Sequence, residues 1–314
     1  MKVPSHLPLQ LASLPFTFQE AVDAGISRRR LRHHGLQRPS RGVRVPEAGE
    51  LADLAPRIRP YTLVTEFAAA SHASAFLLWQ FPGFLPGKDE PLLHISRPDA
   101  FAIMRRPGVK GHRGQFFADE IVTHAGLLVT SRVRTWLDCS RKMSIEELTV
   151  VADHLLRMPR PDFEGRDAPY ASRADLEEML DRHRGTPGIR KARLALDLAR
   201  VGSDSAPETR LRLALEDAGL PEPLLNVPTK LTAGVVRQPD LSYPEFKVGV
   251  EYDGEGHSEA GQIVRDIARE EDFDRAGWLL VRISKHHMEN DAKRAVAKVK
   301  RMLLSRGWSP KSQK

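Results

Sequence analysis

The chain has 314 residues, of which 41% are hydrophobic and 28% charged, so it is long enough for two or three domains and too apolar for general disorder. Its one cysteine, Cys139, has no partner for an internal disulfide or a thiolate zinc cluster, and no segment approaches the about 18 consecutive apolar residues that span a bilayer. These features predict a cytoplasmic protein without a membrane partner. The net charge of +7 favours a polyanionic partner.

The N-terminal head, residues 1–50, is rich in arginine. Thr17 and Glu20 have the spacing of a capping box, which predicts a first helix that ends at Gly25. The segment "RRRLRHHG" predicts a second helix with Leu31 facing inward, and "LQRPSRGVRVP" predicts a basic hairpin wing. The candidate contacts to phosphate or guanine are Arg28, Arg29, Arg30, Arg32, Arg41 and Arg44.

Residues 14–46 of the head resemble the winged helix-turn-helix of AbiEi-type antitoxins from abortive-infection systems. The resemblance implies DNA as a partner, with the second helix in the major groove. It also suggests a toxin or another defence-system component as a partner. A solvated basic helix is the alternative explanation for the arginines.

The middle region, residues 51–160, predicts an α+β domain. "LVTEFAAASHASAFLLWQF" predicts a mostly buried helix, "PLLHIS" and "EIVTHAGLLVTS" predict strands, and a helical pair follows. This order resembles the central region that accompanies the antitoxin-like head. Its histidines lack metal-ligand spacing, so we predict structural roles for them: His72, His94, His112 and His124. The domain would position the two ends of the chain or form a dimer surface.

Residues 161–202 predict a helical linker, and a further helix follows it. Ser205 or Ala206 is the expected cap of that helix, Pro207 lies in its first turn, and Glu208 lies beside Pro207. A negatively charged glutamate in the first turn interacts favourably with the helix dipole. A carboxylate that points toward a functional site is the other interpretation.

Acidic residues gather around one short strand in "RQPDLSYPEFKVGVEYDGEGH". Apolar residues alternate along "FKVGVEYD", which places Glu251 and Asp253 on the opposite face. A turn at Pro244 would form an antiparallel pair and bring Asp240 beside Glu251. Crowded carboxylates cost free energy unless a cation compensates, so we expect Mg²⁺ or Mn²⁺ bound by Asp240, Glu251 and Asp253. A surface hairpin with solvated acids is the alternative.

The order of helix, acidic hairpin, helix, strand and helix over residues 203–308 resembles the PD-(D/E)xK nuclease fold. The closest likeness is the very-short-patch-repair-like branch, in which a histidine follows a "DG" turn, as His257 does here. The resemblance implies hydrolysis of DNA with His257 as general acid or base. The catalytic set that it implies is Asp240, Glu251 and His257, with Glu208 and Arg269 in support. The position of Arg269 on the helix after the hairpin suggests a clamp for a phosphate.

One position departs from the wider superfamily, which places a lysine two residues beyond the second acid. This chain has Asp253 there, so His257 or Lys247 would have to replace the lysine. A nuclease-like scaffold without activity is therefore an alternative interpretation of the acidic hairpin.

The sequence as a whole predicts an α/β multidomain protein: a winged helix-turn-helix head, an α+β middle, and a restriction-endonuclease-like α/β domain at residues 203–314. The predicted function is metal-dependent endonucleolytic cleavage of DNA. The alternative is an AbiEi-type regulator that binds DNA through its head and carries a non-catalytic nuclease-like domain. A pure assembly module is a third possibility, and a homodimer is compatible with all three.

Overall fold

The computed structural model describes residues 7–47, 53–160, 164–232, 234–254 and 260–310, with the backbone alone for residues 260–266. His257 therefore lies outside the described residues. The chain is a mixed α/β protein with several sheets. It divides into two compact units, the first formed by Met1–Met143 with Glu177–Ile189 and the second by Ser144–Leu176 with Arg190–Lys314.

The N-terminal part of the first unit is a three-stranded antiparallel sheet in the order β1-β3-β2, flanked by short helices. Its elements are α1 (Leu9–Ala12), β1 (Phe16–Thr17), α2 (Phe18–Asp23), β2 (Leu36–Gln37) and β3 (Val43–Pro46). The predicted capping box is present: Thr17 Oγ1 accepts a hydrogen bond from the Glu20 amide, and Glu20 Oε2 accepts one from the Thr17 amide. The β2–β3 hairpin corresponds to the predicted wing.

The predicted second helix of the head is much shorter than expected. The segment forms a single 3-10 turn, Arg30–Arg32, in place of an α-helix over "RRRLRHHG". Leu31 is fully buried, but it is the only apolar side chain in that segment. One turn suffices to bury one leucine, and several adjacent arginines give a longer helix no apolar face to pack.

The rest of the first unit is built on a five-stranded sheet in the order β6-β5-β4-β8-β7. Strands β5 and β6 are parallel, as are β4 and β8, and the other pairs are antiparallel. The elements are α3 (Leu54–Leu63), β4 (Ala69–Ala70), α4 (His72–Leu78), β5 (Leu93–Pro98), β6 (Val109–Gly114), β7 (Ile121–His124), β8 (Leu127–Thr130) and α5 (Arg132–Cys139).

The single helix predicted over "LVTEFAAASHASAFLLWQF" is wrong. Ala69–Ala70 forms the central strand β4 of the sheet, and only the following residues form a helix. Alanine favours helices by a fraction of a kcal/mol per residue, and this preference is overridden by pairing with strands on both sides of a buried position.

The second unit contains a four-stranded mixed sheet in the order β14-β13-β12-β9 and a separate β10–β11 hairpin. Strand β13 is parallel to β14 and antiparallel to β12. The elements from this part of the chain are α6 (Ile145–Leu156), α7 (Arg173–Arg182), α8 (Ile189–Leu198), α9 (Ala206–Asp217), β9 (Leu224–Leu225), β10 (Thr229–Thr232), β11 (Val235–Arg237), β12 (Leu241–Tyr243), β13 (Val248–Asp253), α10 (Ala260–Arg275), β14 (Leu279–Ser284) and α11 (Lys293–Ser305).

Both faces of the four-stranded sheet are covered by helices. Val248 and Val250 of β13 pack in one core with the apolar stripes of α9 and α11. On the opposite face, a Cβ atom on Gly249 would lie 3.2 Å from the Phe273 ring of α10. The alternation predicted for β13 is therefore present, and the acids of β13 share the face of Gly249.

The two units do not follow the predicted division at residues 50, 160 and 202. Helix α6, predicted to belong to the middle region, lies in the second unit. Helix α7 is divided between the two units after Leu176. The physical reason is a buried charge: Arg212 of α9 is fully buried, and its guanidinium binds Asp153 of α6 at 2.9 Å. A buried arginine requires such a partner.

No helix in the described part of the chain is long and apolar enough to cross a membrane.

Candidate active site

The predicted hairpin brings Asp240 and Glu251 together. Leu241 of β12 pairs with Val250 of β13, so the adjacent Asp240 lies across from Glu251. Asp240 Oδ2 accepts a hydrogen bond of 2.7 Å from the Tyr252 amide. This bond fixes the Asp240 carboxylate against the neighbouring strand.

Glu208 joins them from the first turn of α9 and is only 7% exposed. Its Oε1 accepts a hydrogen bond from Ser205 Oγ at 2.7 Å, and its Oε2 accepts bonds of 2.8 Å from the Asp204 amide and Asn226 Nδ2. The charge of Asp240 also raises the pKa of Glu208, so the two carboxylates interact. Glu208 thus bonds the residues that cap α9 and also belongs to the acidic group. We call Glu208, Asp240 and Glu251 the carboxylate cluster.

Burial disfavours the charged form of every member of the carboxylate cluster. It raises the pKa of Glu208 to about 6, with the charge of Asp240 as the next cause. It raises the pKa of Asp240 to about 6, a rise that the Tyr252 hydrogen bond opposes and the charge of Glu251 reinforces. Burial also raises the pKa of Glu251, against the effect of the Arg269 guanidinium. The cluster therefore holds negative charge that the protein compensates incompletely.

Arg269 of α10 is bonded within the protein, whereas the sequence suggested a clamp for a phosphate. Its Nε donates to Glu251 Oε1 at 2.5 Å, and its terminal nitrogen donates to the Gln238 carbonyl at 2.8 Å. Arg269 therefore orients Glu251 and balances part of its charge.

Asp253 lies at the exposed end of β13, with 46% of its side chain exposed. Its carboxylate faces the Arg282 guanidinium at 3.6 Å, and its charge contributes to the raised pKa of Glu251. Among the residues that the structure describes, no group of three or more histidines, cysteines or acids is arranged to hold a metal ion. Asp253 as a third metal ligand stays a prediction.

Lys247 as a replacement for the missing lysine stays a prediction. It is exposed and precedes β13 with a left-handed backbone, φ 51°. Glu251 lies four residues further along, which corresponds to roughly 13 Å of strand. The cation that does contact Glu251 is Arg269.

Asn226 is a member of the site that the sequence analysis missed. Its Nδ2 donates to Glu208 and to the Gly202 carbonyl, while its amide donates to the Asp240 carbonyl at 2.9 Å. Its Oδ1 accepts a bond of 3.2 Å from Arg160. Asn226 follows β9 with φ 48°, a conformation that asparagine tolerates, but its sequence neighbours give no sign of its partners.

Asp240 and Glu251 fit a hard divalent cation. Mg²⁺ commonly uses one or two protein carboxylates and completes its shell with waters and substrate phosphates, so a set of three acids is not required. Burial raises the pKa of both carboxyl groups, with the charge of a neighbouring acid as a further cause, and a nearby cation would favour their ionised forms. Glu208 fits a supporting role, since both of its oxygens already accept hydrogen bonds.

The candidate DNA contacts of the head divide into two groups. Arg44 is half-buried: its Nε donates to the Leu31 carbonyl at 3.0 Å, and its NH1 donates to the Val43 carbonyl at 2.8 Å. Arg44 therefore holds the 3-10 turn against β3, which corrects its predicted role, and Arg30 is also half-buried. The exposed candidates are Arg28, Arg29, Arg32 and Arg41.

Three of the four scattered histidines of the first unit come together in the structure. The rings of His72 and His112 stack with centroids 3.7 Å apart, and His112 Nε2 lies 3.2 Å from His94 Nδ1. His124 packs against Trp79 instead. Sequence spacing could not reveal this group because its members come from three separate elements.

Comparison with known proteins finds no matching family model. Two proteins of Mycobacterium tuberculosis, "Uncharacterized protein MT2308" of strain CDC 1551 / Oshkosh and "Uncharacterized protein Rv2248" of strain ATCC 25618 / H37Rv, are each 27% identical over 180 residues. Each match covers 57% of this chain and 63% of the relative, so this chain spans less than two thirds of their length. The "Crystal structure of RV2827C protein from Mycobacterium tuberculosis" is 18% identical, covering 59% of this chain and 71% of that chain, with a TM-score of 0.39.

Proposed function

We propose that the second unit hydrolyses phosphodiester bonds in DNA with Mg²⁺ or Mn²⁺ held by Asp240 and Glu251. The observation that supports this proposal is the carboxylate cluster, in which buried acids of α9 and β13 flank the half-buried Asp240, the residue just before β12. Keeping such a cluster costs folding free energy, and groups with strongly perturbed pKa values are concentrated at functional sites.

Each residue around the cluster has a role in this proposal. A bound divalent ion would supply hydroxide at neutral pH and offset the charge that develops on the phosphoryl oxygens. The Tyr252 amide orients Asp240, and Arg269 orients Glu251. Asn226 ties Glu208 to the backbone of Asp240 and so fixes the spacing of these two acids.

Recognition of DNA is assigned to the head of the first unit. The four exposed candidate arginines, Arg28, Arg29, Arg32 and Arg41, can contact backbone phosphates, and such contacts bind DNA without reading its sequence. The Arg41 carbonyl accepts a hydrogen bond of 2.6 Å from Arg106, which fixes the loop that carries Arg41. His257 remains the proposed general acid or base.

A regulator of the AbiEi type is the second candidate function. The observation that favours it is the ion pair between Arg269 and Glu251, because a guanidinium on this carboxylate competes with a metal ion. In that case the head binds DNA, the second unit performs no hydrolysis, and a toxin or defence-system protein is the further partner.

Nicking of supercoiled plasmid by the purified full chain separates the two functions. For a nuclease we expect nicking with Mg²⁺ or Mn²⁺ and none with a chelator. Asp240→Asn and Glu251→Gln should each reduce nicking to background with little change in DNA affinity, because the proposed DNA contacts lie in the head. His257→Ala should reduce it by about 10²- to 10⁴-fold.

Glu270→Gln is the matched control, since Glu270 is exposed on α10 next to Arg269. This variant should nick as the wild type does. Wild-type protein that nicks no plasmid with either ion, and whose melting temperature Mn²⁺ does not change, would contradict the nuclease proposal and support the regulator.

A further inference from the structure

A cavity of about 360 Å³ lies within the first unit, apart from the residues proposed to hydrolyse DNA. Its volume is within the range of small-molecule sites in proteins. Besides apolar side chains, three kinds of polar side chain line it: histidines, a buried acid, and cations. The polar lining residues are His72, His94, His112, Asp138, Lys110, Arg141 and Lys142.

Adjacent parallel strands place the histidines together. His94 of β5 is in register with Lys110 of β6, and Ser96 is in register with His112, so all four side chains share one face of the sheet. The His72 ring, from the start of α4, is nearly parallel to the His112 ring, at 13°. We call this space the histidine cavity.

Two deeply buried side chains of the histidine cavity have an unpaired polar atom. His94 is 3% exposed, and its Nε2 has no hydrogen-bond partner. Asp138 is 9% exposed; its Oδ1 accepts a bond of 2.8 Å from Arg134, whereas its Oδ2 has no partner. Buried polar atoms in folded proteins are almost always paired, so an occupant that carries both a donor and an acceptor would satisfy these two.

The backbone beside the cavity is in an uncommon conformation. His72 has φ 49°, in the left-handed region that residues other than glycine rarely adopt. Ser71 Oγ contacts His72 Nδ1 at 3.1 Å and accepts a hydrogen bond from Ser96 Oγ at 2.7 Å, which holds the imidazole in place. Such residues concentrate at ligand sites, where the surrounding structure maintains them.

The surroundings of the cavity disfavour protonated imidazoles. Burial and then the surrounding cations and imidazoles lower the pKa of His72 to about 3, of His94 to about 4, and of His112 to about 3, with Lys110 and Lys142 contributing to each. The stacked rings of His72 and His112 direct their nitrogen lone pairs along nearly parallel planes, so these do not converge on one ion. An anionic occupant would instead be stabilised by the cations.

We propose that the histidine cavity binds a nucleoside monophosphate. A planar base fits the stacked imidazoles and the apolar wall formed by Leu85 and Pro86. Its ring donor and acceptor groups would pair with Asp138 Oδ2 and His94 Nε2. Its phosphate would meet Lys110, Arg141 and Lys142.

Calorimetric titration of the full chain, with a chelator and without DNA, tests this proposal. The probes are AMP, GMP, CMP and UMP, with the matching nucleosides, ribose 5-phosphate and inorganic phosphate for comparison. At least one monophosphate should bind with one molecule per chain and at least about ten-fold more tightly than its nucleoside or than ribose 5-phosphate, because each end contributes contacts.

Lys142→Gln locates the site without disturbing the core, because Lys142 is exposed. The variant should weaken binding of the monophosphate by about ten-fold and leave the affinity for the nucleoside unchanged. Lys230→Gln, at an exposed position of β10, is the matched control and should bind as the wild type does.

Three results would overturn the proposal: no binding of any monophosphate at about 1 mM, inorganic phosphate that binds as tightly as the nucleotides, or affinity that Lys142→Gln leaves intact. Zn²⁺ that binds to the wild type and is lost in His112→Ala would show a metal site and also overturn it. None of these results would affect the nicking assay, which depends on the second unit.

Discussion

Replacing Asp240 by asparagine should stabilise the metal-free protein above neutral pH. Asparagine keeps the size of the side chain and an oxygen that can accept the Tyr252 hydrogen bond, so the charge is the main change. Burial, with the nearby Glu251 charge, raises the pKa of Asp240 from 3.8 to about 6. One pKa unit corresponds to about 1.4 kcal/mol, so the ionised carboxylate costs the folded protein about 3 kcal/mol.

The pH dependence follows from the direction of this pKa shift. Between pH of about 4 and 6 the folded protein binds more protons at Asp240 than the unfolded chain does, so this residue lowers stability as the pH rises. Only well below pH 3.8 are both states protonated, so that the difference disappears. Asp240→Asn should therefore approach the wild type as the pH falls toward 4 and exceed it by up to about 3 kcal/mol at pH 8.

Urea unfolding from pH 4.5 to 8 with a chelator measures this difference. Asp274→Asn is the control, because Asp274 is exposed near the end of α10 and should change stability by no more than about 0.5 kcal/mol. Added Mn²⁺ should then stabilise the wild type more than Asp240→Asn. The reasoning fails if Asp240→Asn is less stable than the wild type at pH 8 or differs from it equally at every pH.

Two further predictions concern the head and the second unit. Replacing Arg28, Arg29 and Arg32 by alanine should weaken DNA binding and reduce the slope of log affinity against log salt by up to about 3, and an unchanged slope in a binding titration would exclude phosphate contacts there. A fragment of residues 202–314 should be unfolded by circular dichroism, whereas a fragment of residues 144–314 should fold. The shorter fragment lacks Asp153, the partner of the buried Arg212, and this loss should cost about 3–5 kcal/mol of stability. A folded shorter fragment would contradict the unit boundary.

Much of the second unit follows from local sequence signals. The cap at Ser205, the stripe of Ala295, Val299 and Leu303 on α11, and the alternation in β13 each predict an element that the structure contains. The pairing of Asp240 with Glu251 could also be predicted, because a hairpin of known turn position fixes its register.

Other features depend on contacts between residues distant in sequence. Helix α6 joins the second unit because a buried charge on α9 binds Asp153, and no local pattern encodes that pairing. Arg269 approaches Glu251 only because the crossover through α10 returns across the face that carries the acids. Local spacing suggested a phosphate clamp for the same arginine.

The sequence by itself determined several elements of the second unit and which acids share a strand face, since both depend on short-range periodicity and turn chemistry. The tertiary structure decided which charges are buried and which groups they meet. It placed the Arg44 guanidinium on the Leu31 carbonyl and the Asn226 amide on Glu208. It also placed His72, His94 and His112 around one cavity. The physical reason is that burial and pairing depend on how separate elements pack, which local sequence does not specify.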